Sequence, residues 1–87
     1  MTFNIEDLKK KIIYRSNYRG TKEMDSLLGA FTKKYINSLN QDELYELNDF
    51  LNLDDETLFK LNQGKNVRIN IKQNSITNLF KNYIYEK

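Results

Sequence analysis

The sequence contains no cysteine, no histidine, no proline and no tryptophan, and only three of its 87 residues are glycine. Without cysteine there is no disulfide, no zinc–thiolate site and no iron–sulfur ligation. Without histidine the chain lacks the commonest general base and the commonest metal ligand. Three glycines do not build a phosphate-cradling loop, and no serine has a histidine to activate it. No run approaches the roughly 20 apolar residues that span a bilayer. What remains is one small domain, residues 1–87, with 39% hydrophobic and 30% charged residues. A chain of this size buries only about 60% of the surface that its unfolded form exposes, so its core is thin. The first residues, Met1 to Asp7, read as neither a signal peptide nor an arginine-rich transit segment, and a cytoplasmic location is expected.

The net charge of +2 is too small to argue for nucleic acid by itself. Its distribution is more informative. Residues 1–22 hold six basic and two acidic side chains, residues 23–59 two basic and nine acidic, and residues 60–87 six basic and one acidic. Basic ends around an acidic middle suit docking on a complementary protein surface, unless intramolecular pairing neutralises them.

Helix starts are legible. Asn4, Asn40 and Asp54 each stand where an N-cap belongs, with acids at the following positions and an apolar residue on either side: Phe3 and Leu8, Leu39 and Leu44, Leu53 and Leu58. Gly20 can break the first helix and Thr21 can cap the next. Buried stripes follow at helical spacing: Met24, Leu27, Leu28, Phe31 and Tyr35; Leu44, Leu47 and Leu51 with Phe50; Leu58, Phe59 and Leu61, stopped by Gly64 at C′; and Ile76, Leu79, Phe80, Tyr83 and Ile84. Val67, Ile69 and Ile71 alternate with polar residues as a strand would, but without a strand partner they read as an extended connector. The spacing predicts an all-α, compact five-helix bundle with short antiparallel connections and helices over 5–17, 22–37, 41–52, 55–63 and 74–85.

Catalysis has little to work with. Asp42, Glu43, Asp54 and Asp55 sit at helix starts, where capping and the helix dipole account for them. Asp54, Asp55 and Glu56 lack the spacing of a calcium loop. Lys9, Lys10, Lys11, Arg15, Arg19 and Lys22 interleave with Tyr14 and Tyr18, a pattern able to meet phosphates, yet the adjoining helices are acidic and supply no basic recognition helix. The segment that capping and packing leave unexplained is 15–25. It gathers Arg15, Arg19, Gly20, Glu23 and Asp25 at one helix–helix corner, where Gly20 permits close approach and Arg19 and Glu23 would project side by side. The alternative is a surface Arg–Glu pair at a glycine turn.

Arg19-Gly20-Thr21-Lys22-Glu23-Met24-Asp25 resembles the R-G-x-x-E-x-D signature of the succinate dehydrogenase assembly factor family. Arg15-Ser16 resembles the family's upstream Arg-Ser pair, Leu27-Leu28-Gly29-Ala30-Phe31 its L-L-G-x-F run, and Asp54-Asp55-Glu56-Thr57-Leu58-Phe59 its D-D-x-x-L-[FY] element. The likeness covers about residues 8–65. Two positions depart: Tyr18 stands where many members have a basic residue or histidine, and Leu61 where many have tryptophan.

The resemblance implies a five-helix bundle that binds the flavoprotein subunit of succinate dehydrogenase or fumarate reductase and promotes covalent FAD attachment there. The role is that of a chaperone-like factor, not an enzyme: the chain binds no cofactor tightly itself and acts on the FAD of its client. Arg19, Gly20 and Glu23 are the expected client-facing residues, with Arg15 and Asp25 beside them. No nucleic acid, membrane or metal partner is expected, and the free chain is expected to be a monomer. A regulatory adaptor or antitoxin-like protein-binding module is the alternative.

Overall fold

The computed structural model describes residues 4–65 and 74–84. Five helices follow in order: α1 Ile5–Asn17, α2 Lys22–Tyr35, α3 Gln41–Phe50, α4 Asp55–Asn62 and α5 Ser75–Asn82. No strand occurs among the described residues, so the all-α expectation holds. The Val67, Ile69 and Ile71 alternation and the Phe3 half of the first hydrophobic staple lie outside the described residues.

Each helix begins at a side-chain cap because its first N–H groups have no partner within the helix. Asn4 Oδ1 accepts from the N–H of Glu6 at 2.9 Å. Thr21 Oγ1 accepts from Met24 N–H at 3.1 Å, and Asp54 Oδ1 from Thr57 N–H at 2.9 Å. At α3 the box is reciprocal: Glu43 N–H donates to Asn40 Oδ1 at 2.8 Å, and Asn40 N–H to Glu43 Oε1 at 3.0 Å. Asn74, not singled out in the sequence, caps α5 through Thr77 N–H at 2.9 Å.

The helix ends depart from the spacing by a few residues, each for a visible reason. Past Tyr35 the chain tightens into a turn in which Ser38 N–H donates to the Tyr35 carbonyl. α3 stops at Phe50 because Asn52 and Leu53 donate to the carbonyls of Asp49 and Phe50, a tighter pattern than the α-helical one. α4 closes as a Schellman motif: Gly64 has φ +73°, its N–H donates to Leu61 and that of Lys65 to Lys60. α5 ends at Asn82 rather than 85. Asn62 Nδ2 donates to the carbonyls of Phe80 at 3.1 Å and Tyr83 at 2.8 Å, and Tyr83 turns extended. Ile84 therefore leaves the stripe expected of it and is 79% exposed.

The core lies where α1, α2, α3 and α5 converge. Ile12, Leu28, Phe31, Leu47, Ile76 and Phe80 are fully buried. Phe80 receives Phe31 at 5.1 Å and Phe50 at 5.2 Å between ring centroids, both edge-on. That geometry suits the ring quadrupole and ties α5 to α2 and α3. α1 packs on α2 and α3, and α5 on α3 and α4. A radius of gyration of 12.5 Å is that of a folded domain of this length, about 12 Å.

An eight-residue α5 is not stable alone, so Phe80→Ala is expected to cost about 3–5 kcal/mol, a large share of the stability of so small a domain. A thermal melt followed by circular dichroism checks this. Hydrogen bonds from the Thr57 hydroxyl and then its backbone N–H hold the Asp54 carboxyl below its ordinary value of 3.8. The stability this cap supplies is therefore fully present above pH about 4 and lost as pH falls through the lowered value. Asp54→Asn, which keeps an acceptor for Thr57, should flatten the acid limb of a pH–stability curve.

Candidate functional site

Residues 18–21 join α1 to α2, and residues 51–54 join α3 to α4. Arg19 bridges the two corners. Its Nε donates to Asp55 Oδ1 at 2.8 Å, one terminal nitrogen to the Leu51 carbonyl at 2.8 Å and the other to the Leu53 carbonyl at 2.7 Å. The Arg19 side chain is 11% exposed and that of Asp55 27%. Asp55 uses its second oxygen to accept from the Gly20 N–H at 2.8 Å. The guanidinium fork fits because its donors are rigid and planar, and a lysine has no equivalent set.

Arg15, one turn earlier on α1, serves the same helix end. It donates to the Asn48 carbonyl at 2.9 Å, to Asn48 Oδ1 at 2.8 Å and to Asn52 Oδ1. The last turn of α3 holds no basic residue of its own, although its free carbonyls form the negative end of the dipole. Two arginines from outside the helix supply the donors and the positive charge.

The expectation that Arg19 and Glu23 project side by side is corrected by this geometry. Arg19 points into the α3–α4 corner, where its three donor groups are used. Gly20 is also there for a different reason. Its φ is not positive, and α1 has already ended at Asn17, so no left-handed turn requires it. A Cβ at position 20 would instead sit 2.8 Å from Asp55 Oδ2, so the close approach is made by the chain's own α4. Asp25 is likewise engaged, accepting from the Arg19 backbone N–H. Ser16 is buried and donates to Ile13 O at 2.9 Å.

Glu23 alone of the five keeps its charge outward. It is exposed and makes no hydrogen bond or ion pair among the described residues. It stands with Lys22 and Leu27 on one wall of an open groove of about 720 Å³; Phe59 and Gln63 of the α4 end and Ile84 form the other. The structure thus joins Arg15, Arg19, Gly20 and Asp25 in one internal clamp with Glu23 on its rim. Asp55, Asn48 and Asn52 belong to the clamp and were not foreseen. The available signal was a ten-residue α3 ending without a cation, followed by an acid beyond the one needed as a cap.

Residues 10–84 match the protein family described as flavinator of succinate dehydrogenase. The chain belongs to that family. Among curated proteins it is 40% identical over 55 residues to a mitochondrial succinate dehydrogenase assembly factor 2 of Dictyostelium discoideum, covering 63% of this chain and 39% of that protein. It is 32% identical over 69 residues to the protein of the same name from Penicillium rubens, covering 68% of this chain and 22% of that one. The Saccharomyces cerevisiae protein is 38% identical over 48 residues, 55% of this chain and 30% of that protein. The chain thus spans well under half the length of these relatives. No solved structure matches. Within this family member, two of the four sequence elements that carried the resemblance, 19–25 and 54–59, meet at one ion pair between Arg19 and Asp55, 36 residues apart.

The clamp and the rim separate in a denaturation experiment. Arg19→Ala should lose about 3 kcal/mol, because it strands a part-buried carboxylate and two carbonyls. That lowers Tm by about 10 °C or more for a domain this size. Arg19→Lys should recover only part of the loss, and Gly20→Ala should cost about 1 kcal/mol by displacing Asp55. Glu23→Ala should stay within about 0.5 kcal/mol of the parent.

Proposed function

We propose that this protein is an assembly factor that binds the flavoprotein subunit of succinate dehydrogenase and promotes covalent attachment of FAD to it. The observation that carries the reading is the family match over residues 10–84. Glu23 is the client-facing charge, with Gly20 and Lys22 on the same exposed rim. Arg19, Arg15 and Asp25 act at one remove, by holding that rim on α3 and α4.

The chain brings no histidine or cysteine to the reaction. The bond forms between the client's cofactor and the client's own side chain, and the flavin supplies the chemistry. This protein contributes by keeping the client in the arrangement that aligns those groups, a proximity effect. It acts without catalytic residues of its own and without holding FAD tightly, and fumarate reductase's flavoprotein is a second client of the same kind. The free chain is a monomer. A cytoplasmic site of action belongs to the same proposal; the relatives above are named mitochondrial, and no helix among the described residues is long and apolar enough to cross a membrane.

The flavoprotein subunit, expressed with and without this protein, is scored by in-gel flavin fluorescence after denaturation. Covalent flavin should rise with the intact protein and fall about tenfold with Glu23→Ala, equivalent to about 1.4 kcal/mol of lost interaction. Equal covalent flavin with and without the protein would reject the reading.

A further inference from the structure

The outer face of α1 carries a feature that neither the clamp nor the groove uses. Tyr14 and Tyr18 are 64% and 70% exposed, yet their rings stack with centroids 4.5 Å apart and 29° between planes. Lys10 and Lys11, four and three residues before Tyr14, are exposed on the same side of the helix, with the exposed acid Asp7 one turn further back. The core-facing residues Leu8, Ile12 and Ser16 lie on the opposite side.

This stripe is what remains of the basic and aromatic cluster read in the sequence. Arg15 and Arg19 have been withdrawn to the end of α3, and Lys9 pairs with Glu6 at 3.8 Å. Lys22 faces solvent on the groove wall beside Glu23, which leaves Lys10 and Lys11 as the cations of that cluster beside the two rings. Two cations neutralise few phosphates, and the resulting nucleic-acid affinity is small and steeply salt-dependent. Two pre-stacked tyrosines are, by contrast, the side chains that dominate protein–protein contacts: each offers about 150–250 Å² to bury, with few rotamers to freeze. Tyr18 stands one residue before Arg19, so the stripe runs directly into the corner that carries Glu23.

We infer that the Lys10–Lys11–Tyr14–Tyr18 stripe of α1 is a second contact surface for the client flavoprotein and takes an acidic segment of it. The two rings cover the apolar part of that segment, and the lysines meet its carboxylates. The inference rests on the function proposed above. It adds to the Glu23 rim a patch of opposite charge, so the client is held from two sides of one corner and its orientation is set.

The test is calorimetric titration of the purified flavoprotein subunit with the full chain at low and moderate salt. Tyr14→Ser/Tyr18→Ser should bind about tenfold or more weakly, about 1.4 kcal/mol, while its helical circular dichroism stays near that of the parent. Should that double variant lose helicity, Tyr18→Ser alone, beyond the end of α1, should still weaken binding. Lys10→Glu/Lys11→Glu should bind more weakly at low salt, with the difference shrinking as salt screens it. Unchanged affinity in the stripe variants alongside weakened binding by Glu23→Ala overturns this inference and leaves the proposed function standing. No binding by the unaltered chain overturns both. Tighter binding to a single-stranded oligonucleotide than to the subunit, lost on lysine reversal, overturns it in favour of nucleic acid. Self-association abolished by the tyrosine changes overturns it in favour of a second copy of the chain.

Discussion

One guanidinium group completes two helices at once. Arg19 fills the carbonyls of Leu51 and Leu53 beyond the end of α3 and the Asp55 carboxylate in the first turn of α4. Its charge suits the negative pole of α3, and the Asp55 carboxylate suits the positive pole of α4. Together with Arg15 on Asn48 and Asn52, it leaves the C-terminal carbonyls of α3 supplied with donors although α3 contributes no cation of its own. In a domain with so thin a core, unsatisfied polar groups at this corner would consume a substantial part of the net stability. The placement of the α1–α2 corner on the rest of the molecule follows from this arrangement.

A rigid corner is the useful product. Because the arginines face inward, the outward character of the α1–α2 junction is set by what they leave behind: the Glu23 carboxylate on one side and two stacked tyrosines with lysines on the other. The proposed role asks this corner to present shape and charge and leaves the bond-making to the client. The proposed role makes that division of labour explicit, with orientation supplied by this protein and reactivity by the flavin and its host.

The three glycines show how one residue type answers to unrelated constraints. Gly64 is required by backbone conformation, since its φ of +73° closes α4 in a Schellman turn. Gly20 is required by space, because Asp55 occupies the position its side chain would take. At Gly29 a Cβ would meet the exposed Asn17 side chain alone, which can swing aside, so the constraint there is slight. Only the first of these could be argued from neighbours in the chain.

Helix existence, helix starts and the buried stripes were legible from the residue order, because capping and 3.6-residue periodicity act over three or four positions along the chain. Asn4, Thr21, Asn40 and Asp54 cap where the sequence places them. Helix ends were less legible: α3 and α5 stop short of their apolar stripes because Arg15, Arg19 and Asn62, all distant in sequence, compete for the terminal carbonyls. The residues of the corner could be singled out, but not the direction each one faces. Whether an arginine serves a partner or its own fold depends on which acceptors the packing of α1 on α3 brings within about 3 Å, and those acceptors lie more than 30 residues away. Local chemistry therefore chose the helices, and three-dimensional packing alone chose which charges were spent inside and which were left at the surface.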